Sequence, residues 1–360
     1  MTIESDFSAF SGKKLLVVGG AGFVGSNLVL KLLEQDPKEV IIVDNLLSSD
    51  ISNVPTNARV TFVYGSITDD AILEGLPHDL DYVWHLSCYH GNQSSIHDPL
   101  ADHENNTLTT LKLFDRLKDI KSIKKVVYAA AGCAVAEKTY DEARATAEDA
   151  PVSLVHDSPY SISKLVGELY GNYYHLQHGL PFVKARFQNV FGPREMLGAG
   201  RWRGTRHTVW RNVTPTFVWK SLNNEALGLD NGGQVSRDFI FVEDMARGLM
   251  CCAKNGDAGE IYNLASGVET TIKELAETIN DITGNTTEMI IQPPRPWDRS
   301  GCRFGSTEKS KNTIGFIAQV SLREGLEKTI AWTKENRANI ERCMSQHDYF
   351  MERLNNDGPR

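Results

Sequence analysis

Short, almost uninterrupted apolar runs recur along the first half of the chain, at 15–18, 40–43, 60–64, 82–86, 125–128 and 182–187. Runs of this length without polar alternation suit strands buried on both faces, as in a parallel sheet. Between them apolar residues return at helical spacing, first over 28–33, and a further helix is expected to begin near Pro159. Strand and helix in turn predict an α/β fold with a doubly wound parallel sheet. Beyond Pro193 the alternation fades, and Gly, Arg and Trp become frequent over 198–212. Helical patterns return near 215–222, 243–254, 271–283 and 321–344. The pattern predicts a sheet domain over 13–190 and a smaller, interleaved lobe over 191–340, above the carboxyl ends of the strands. Residues 1–12 and 345–360 are expected to be flexible ends.

With 360 residues and 41% apolar content the chain can bury a large core. Its formal charge of −8 argues against nucleic acid or an anionic membrane as partner. No apolar run approaches the length of a membrane span, and the acidic, polar start is unlike a secretory signal. Six cysteines (Cys88, Cys133, Cys251, Cys252, Cys302, Cys343) show neither zinc nor disulfide-framework spacing, so no metal site is expected. Reduced, cytoplasmic thiols are the expectation for all but Cys133.

Two short stretches carry the chemistry. Gly19, Gly22 and Gly25 lie between the first apolar run and the first helix, where backbone amides and a helix N-terminus can approach a pyrophosphate. Asp44 ends the next apolar run, about 20 residues beyond the last glycine, where a carboxylate suits a ribose diol and repels a 2′-phosphate. This points to NAD rather than NADP, with Asp69 or Asp70 in position to reach the adenine. Downstream, Tyr160 and Lys164 stand at i and i+4 on one helix face. A neighbouring ammonium favours the ionised phenol, which suits a base for hydride transfer at an alcohol carbon. The sheet is therefore expected to be of the Rossmann type.

With both stretches in place, the chain resembles an extended short-chain dehydrogenase/reductase of the nucleotide-sugar epimerase/dehydratase family, over roughly residues 13–335. Further motifs in family order carry the resemblance: 65–67, 85–87, 105–106, 186–193, 237–239 and 295–298. It implies that Phe23, Val24, Asn45, Ser66, Ile67, Leu86, Ser87, Asn106 and Phe187 line the cofactor with the glycines and Asp44. It implies that Tyr160 takes a sugar hydroxyl proton while Lys164 holds the nicotinamide ribose. Asn189, Arg237, Arg295 and Asp298 would hold the nucleoside diphosphate, a task suited to paired guanidinium groups. The resemblance also implies a homodimer, through helices near 100–118 and 160–177.

The chain departs from the family at one place. Ala131 stands where a Ser or Thr hydroxyl belongs, and Gly132 and Cys133 follow where dehydratases and decarboxylases carry acids. A thiol there resembles GDP-mannose 3,5-epimerases, in which such a cysteine is a base and a Trp-Lys-Gly lysine the acid. Here Trp202, Arg203 and Gly204 occupy the comparable stretch, and arginine is a poor proton donor. Arg203 is expected to bind an anion or stabilise an enolate, among four arginines over 201–211 placed to clamp a diphosphate or carboxylate. His90 is expected to face the sugar. The reading is an NAD-dependent nucleotide-sugar epimerase of carbohydrate biosynthesis, acting through a transient 4-keto sugar. A dehydratase, a 3,5-epimerase using Cys133 and a silent NAD- or sugar-nucleotide-binding protein are its alternatives.

Overall fold

Each of the six apolar runs forms a strand, and a seventh joins them. In the computed structural model, which describes residues 6–132, 143–295 and 301–356, the strands are β1 (Lys14–Val18), β2 (Glu39–Asp44), β3 (Val60–Tyr64), β4 (Tyr82–His85), β5 (Lys125–Ala131) and β6 (Phe182–Phe187). Two shorter strands, β7 (Asn189–Phe191) and β8 (Ser236–Phe241), precede β9 (Ile261–Leu264), and β10 (Glu269–Thr271) follows it. The main sheet has the order β9-β6-β5-β4-β1-β2-β3, with every pair parallel. After β3 the chain crosses to the other side of β1, so a topological switch point opens between β1 and β4. Open α/β sheets bind ligands at the carboxyl ends of such a crevice.

The longer helices are α1 (Phe23–Leu33), α2 (Thr109–Leu117), α3 (Pro159–His178), α4 (Val213–Leu222), α5 (Val242–Asn255), α6 (Ile272–Thr283), α7 (Leu322–Glu335), α8 (Arg337–Ser345) and α9 (Asp348–Asn356). One apolar core packs α1 and α5 on one sheet face, and a second packs α2 and the start of β6 on the other. Helix α3 has sharp ends. Ser158 accepts the Ser161 amide, Pro159 opens the first turn, and Gly179 closes the helix at φ +70°. A third core, around Phe191, Phe217, Phe239, Phe241, Leu275 and Leu326, joins the small sheet β7-β8-β10 to α4, α6 and α7.

The described residues near each end, 6–12 and 345–350, are better held than their composition suggests. Phe10 is 0% exposed, edge-on to Tyr82 and Trp84 at 5.0 and 5.7 Å, and Phe7 packs beside it. At the other end Phe350 on α9 stacks on Trp202, with centroids 5.0 Å apart. His347 Nε2 lies 2.9 Å from the Gly198 carbonyl. Isolated aromatics in polar stretches give no periodic signal, which is why both segments read as flexible. Phe10→Ala should therefore destabilise the protein by about 3–5 kcal/mol, measured by urea denaturation. A loss below about 1 kcal/mol, the range of a surface substitution, would return residues 6–12 to a loose leader.

Candidate active site

A single cleft of about 820 Å³ runs along the carboxyl ends of the strands. It begins at the turn between β1 and α1. Gly19 has φ +85°, and a Cβ there would lie 2.5 Å from the Ser87 nitrogen. A Cβ on Gly25 would lie 2.1 Å from the Gly19 carbonyl oxygen. Helix α1 starts at Gly22 without a side-chain cap and with no acid in its first turn, so its amides remain available to an anion. Asp44, at the end of β2, accepts the Ala21 and Leu46 amides at 3.0 and 2.9 Å and the Ser49 hydroxyl at 2.9 Å. Burial raises the pKa of this carboxyl above the usual range, and the bonds it accepts pull it back. An uncapped helix start and a seated carboxylate fit a dinucleotide pyrophosphate and its ribose diol.

Tyr160 and Lys164 enter the middle of the cleft from the first turns of α3. Lys164 is 3% exposed; its Nζ donates to the Ala129 carbonyl at 2.9 Å and lies 5.9 Å from the Tyr160 ring centroid. One turn on, Glu168 accepts two 3.0 Å bonds from Arg186 of β6, both residues being buried. Arg186 also donates to the Glu148 carbonyl. The bidentate pair pins α3 to the sheet close to Tyr160 and Lys164. Ala131 ends β5 on the cleft wall and offers only a methyl group.

Three arginines gather in another part of the cleft, where Arg237, Arg295 and Arg303 line it with Asp230, Asp238, Asn189, Phe217 and Asn231. Arg237 is steadied by the Ser236 and Gly301 carbonyls at 2.7 and 2.6 Å, and Arg295 Nε by Asp230 at 2.5 Å.

The cleft gathers most of the residues singled out in the sequence. Gly19, Gly22, Phe23, Val24, Gly25, Asp44, Asn45, Ser66, Ile67, Leu86, Ser87, His90, Tyr160, Lys164, Phe187, Asn189, Arg237 and Arg295 all line it. Cys133 and Asp298 lie outside the described residues. Four expectations are corrected. Asn106 does not line the cleft; its amide accepts the Tyr89 amide at 2.7 Å and donates to the Tyr89 carbonyl and Asp102. Asp69 caps a short helix and Asp70 pairs with Lys112, so neither reaches the cleft. Arg203 sits behind the wall, donating to Ser48 and the His90 carbonyl, and lines a side cavity of about 290 Å³. The arginine stretch is mainly a strut, because Arg201, Arg203 and Arg211 donate to the 45–48 loop. Of the four arginines only Arg211 lines the cleft. Sequence reasoning missed Glu195 and Asn212, also in the wall. Glu195 stands just beyond Gly192 and Pro193, and that proximity to a motif was the one available signal.

Comparison with known proteins gives a consistent picture. The model of the NAD dependent epimerase/dehydratase family matches residues 15–265. A putative UDP-glucose 4-epimerase of Methanocaldococcus jannaschii is 30% identical over 89% of this chain and 99% of its own. A dTDP-glucose 4,6-dehydratase of Streptomyces antibioticus is 28% identical over 90% and 93%. The crystal structure of the Bordetella bronchiseptica enzyme WbmF with NAD+ and UDP superposes with a TM-score of 0.87 at 57% identity, covering 96% of this chain and 99% of that one.

If the Arg186–Glu168 pair holds α3 in place, Glu168→Ala strands a buried guanidinium and should cost about 3–5 kcal/mol. Thermal denaturation with calorimetry would read this, and a change within about 0.5 kcal/mol, ordinary for an exposed site, would deny the pair that role.

Proposed function

The chain belongs to the NAD dependent epimerase/dehydratase family, and from that premise we propose an NAD-dependent nucleotide-sugar epimerase acting on UDP-linked sugars through a transient 4-keto sugar. One observation carries the reading. A single cleft is lined by the glycine turn after β1, the Tyr160/Lys164 pair and Arg237, Arg295 and Arg303, groups whose chemistry suits a dinucleotide, a sugar hydroxyl and a diphosphate. UDP as the nucleotide rests on the similarity to WbmF, solved with NAD+ and UDP, and to the UDP-glucose 4-epimerases. NAD rather than NADP rests on Asp44, whose carboxylate would repel a 2′-phosphate.

When bound, the cofactor supplies a reversible hydride acceptor beside the sugar carbon. Tyr160 takes the C4 hydroxyl proton on its phenol oxygen as that carbon is oxidised. It returns the proton when the carbonyl is reduced from the opposite face. Lys164, anchored on the Ala129 carbonyl, offsets the negative charge that passes through the phenol oxygen. Arg237 and Arg295 grip the diphosphate while the keto sugar turns over. A dehydratase must also take a hydrogen from C5 and give a proton to the departing hydroxide. Ala131 and Gly132, at the end of β5, provide no group for either, which supports epimerisation.

The reading places the enzyme in the cytoplasm, in carbohydrate biosynthesis, as a homodimer. Cys88, Cys252 and Cys343 stand without a disulfide, in keeping with a reducing compartment. Among the described residues no helix is long and apolar enough to cross a membrane. Ile162, Leu169, Tyr173 and Leu176 form an exposed apolar row along α3, suited to burial against a second copy. Leu169→Glu should give a monomer by light scattering where the wild type gives a dimer; a wild-type monomer would refute the dimer.

The reaction itself is tested with UDP-sugars in deuterated water. The expected product is inverted at C4 and carries no solvent deuterium on carbon, because the hydride returns to the carbon it left. Tyr160→Phe should lower turnover by roughly 10²–10⁴-fold and leave cofactor binding intact. Deuterium at C3 or C5 would instead indicate the 3,5-epimerase with Cys133 as base. Loss of water from the sugar would make the enzyme a dehydratase.

A further inference from the structure

Glu195, Asn212 and His90 form a chain of hydrogen bonds in the cleft wall that the C4 reaction does not by itself require. Glu195 is only 7% exposed and has no ion-pair partner within 4 Å among the described residues. Its carboxylate accepts a hydrogen bond from Asn212 Nδ2. The other end of the same amide, Asn212 Oδ1, lies 3.1 Å from His90 Nε2. His90 stands edge-on to Tyr160, with ring centroids 6.3 Å apart, and lines the same part of the cleft. Its Nδ1 has no hydrogen-bond partner among the described residues and is not fully buried, on a residue that lines the cleft.

These contacts fix the position of one proton. An ionised carboxylate can only accept, so Asn212 must turn its amine towards Glu195 and its oxygen towards His90. His90 Nε2 must then be the donor. A neutral imidazole carries one ring hydrogen, so Nδ1 is left with its lone pair facing the cleft. We propose that Glu195 and Asn212 hold His90 in the tautomer whose Nδ1 accepts a hydrogen bond from a hydroxyl of the bound sugar, next to Tyr160. This contact stands in for the hydroxyl missing at Ala131, which ends β5, the strand paired with the β4 strand that leads to His90. The sugar hydroxyl is assigned on the strength of the nucleotide-sugar reading above; the tautomer is not.

The surroundings favour this arrangement. Burial holds the His90 pKa down at about 4, and the charges of Arg203, Arg211 and Lys164 act the same way, so the ring stays neutral at physiological pH. Glu195 is faced by Asn212 and by the charge of Arg211, and burial raises its pKa to about 7. Below that value the carboxyl gains a proton and becomes a donor. Asn212 can then reverse, presenting its amine to Nε2 and moving the ring hydrogen to Nδ1. The acceptor is lost as pH falls through the Glu195 titration and regained as pH rises.

The test combines spectroscopy with kinetics. Nitrogen-15 labelling of histidine, with His90→Phe to assign the signal, should show the Nε2–H form in the wild type above the Glu195 titration and a shift towards Nδ1–H below it. Glu195→Gln has a neutral amide that can either donate or accept, so this variant should populate both tautomers at every pH. With an active UDP-sugar, His90→Phe should lower kcat by roughly 10- to 100-fold, the loss of one well-placed hydrogen bond. His90→Gln, which keeps an acceptor, should recover part of it. The acidic limb of the wild-type kcat profile near pH 7 should flatten in Glu195→Gln. A wild-type ring in the Nδ1–H form above the titration would overturn the lock whether or not any sugar turns over. Equal kcat for wild type and His90→Phe would overturn the sugar contact while leaving the epimerase reading in place. Failure of the wild type on every UDP-sugar would overturn the substrate reading and the sugar contact with it, and the labelling would still decide the tautomer.

Discussion

The site depends on how closely α3 lies against β5 and β6. A Cβ on Gly167 would come within 2.1 Å of the Tyr128 hydroxyl, and one on Gly171 within 2.0 Å of the Phe182 ring. Without side chains at these two positions the helix can rest on the aromatic surface of the sheet. Lys164, one turn earlier, then reaches the Ala129 carbonyl. Arg186 and Glu168 hold the same contact through a buried bidentate pair. Such a pair contributes little net stability for its desolvation cost, but breaking it is expensive, so it constrains position more than it adds energy. Tyr160 inherits its placement at the strand ends from this contact, four residues before Lys164 on the same face.

The parts of the fold that were legible in the sequence are those whose physics is local and periodic. Strands β1, β2, β4, β5 and β6 are buried on both faces along most of their length and therefore appear as apolar runs, while the edge strand β3 is only partly buried. The turn after β1 was legible because a pyrophosphate-sized gap needs glycine at fixed intervals. β9 was not: Ile-Tyr-Asn-Leu is short and carries a buried Asn263 whose side chain donates to the Thr146 and Ser306 carbonyls. Polar residues placed for such long-range bonds have no period. The same reason hid Glu195 and Asn212 and made Asn106 and Arg203 look like ligand contacts. Residue type and motif position indicated that these side chains matter, but only the folded chain shows which partner uses up their hydrogen bonds.

The arginine stretch shows this most clearly. Arg201 reaches the Asn45 carbonyl and the Tyr64 hydroxyl, while Arg203 and Arg211 converge on Ser48. These contacts brace the loop that follows Asp44, which borders the cleft. From the other side, Trp202 and Gly198 are held by Phe350 and His347. Contacts thus run without a break from the C-terminal helices, through the arginine stretch, to the loop after Asp44. Among the described residues, the C-terminal helices thus pack behind the cleft wall without lining the cleft.

Arg203 and Arg211 have a second consequence, which is electrostatic. Among the described residues neither forms an ion pair; the carbonyls and hydroxyl they donate to offer dipoles only, and each Nε is buried without a partner. Their charges are therefore offset only in part. In the low dielectric of the cleft wall that residual charge acts over several ångströms. It depresses the basicity of His90 and adds to the field of Arg237, Arg295 and Arg303 further along. Asp44, Glu195, Asp230 and Asp238 line the same cleft, so in a chain with a formal charge of −8 these cations act locally rather than along its whole length. The basic side chains thus supply local partners for an anion that the overall negative charge of the chain would not attract.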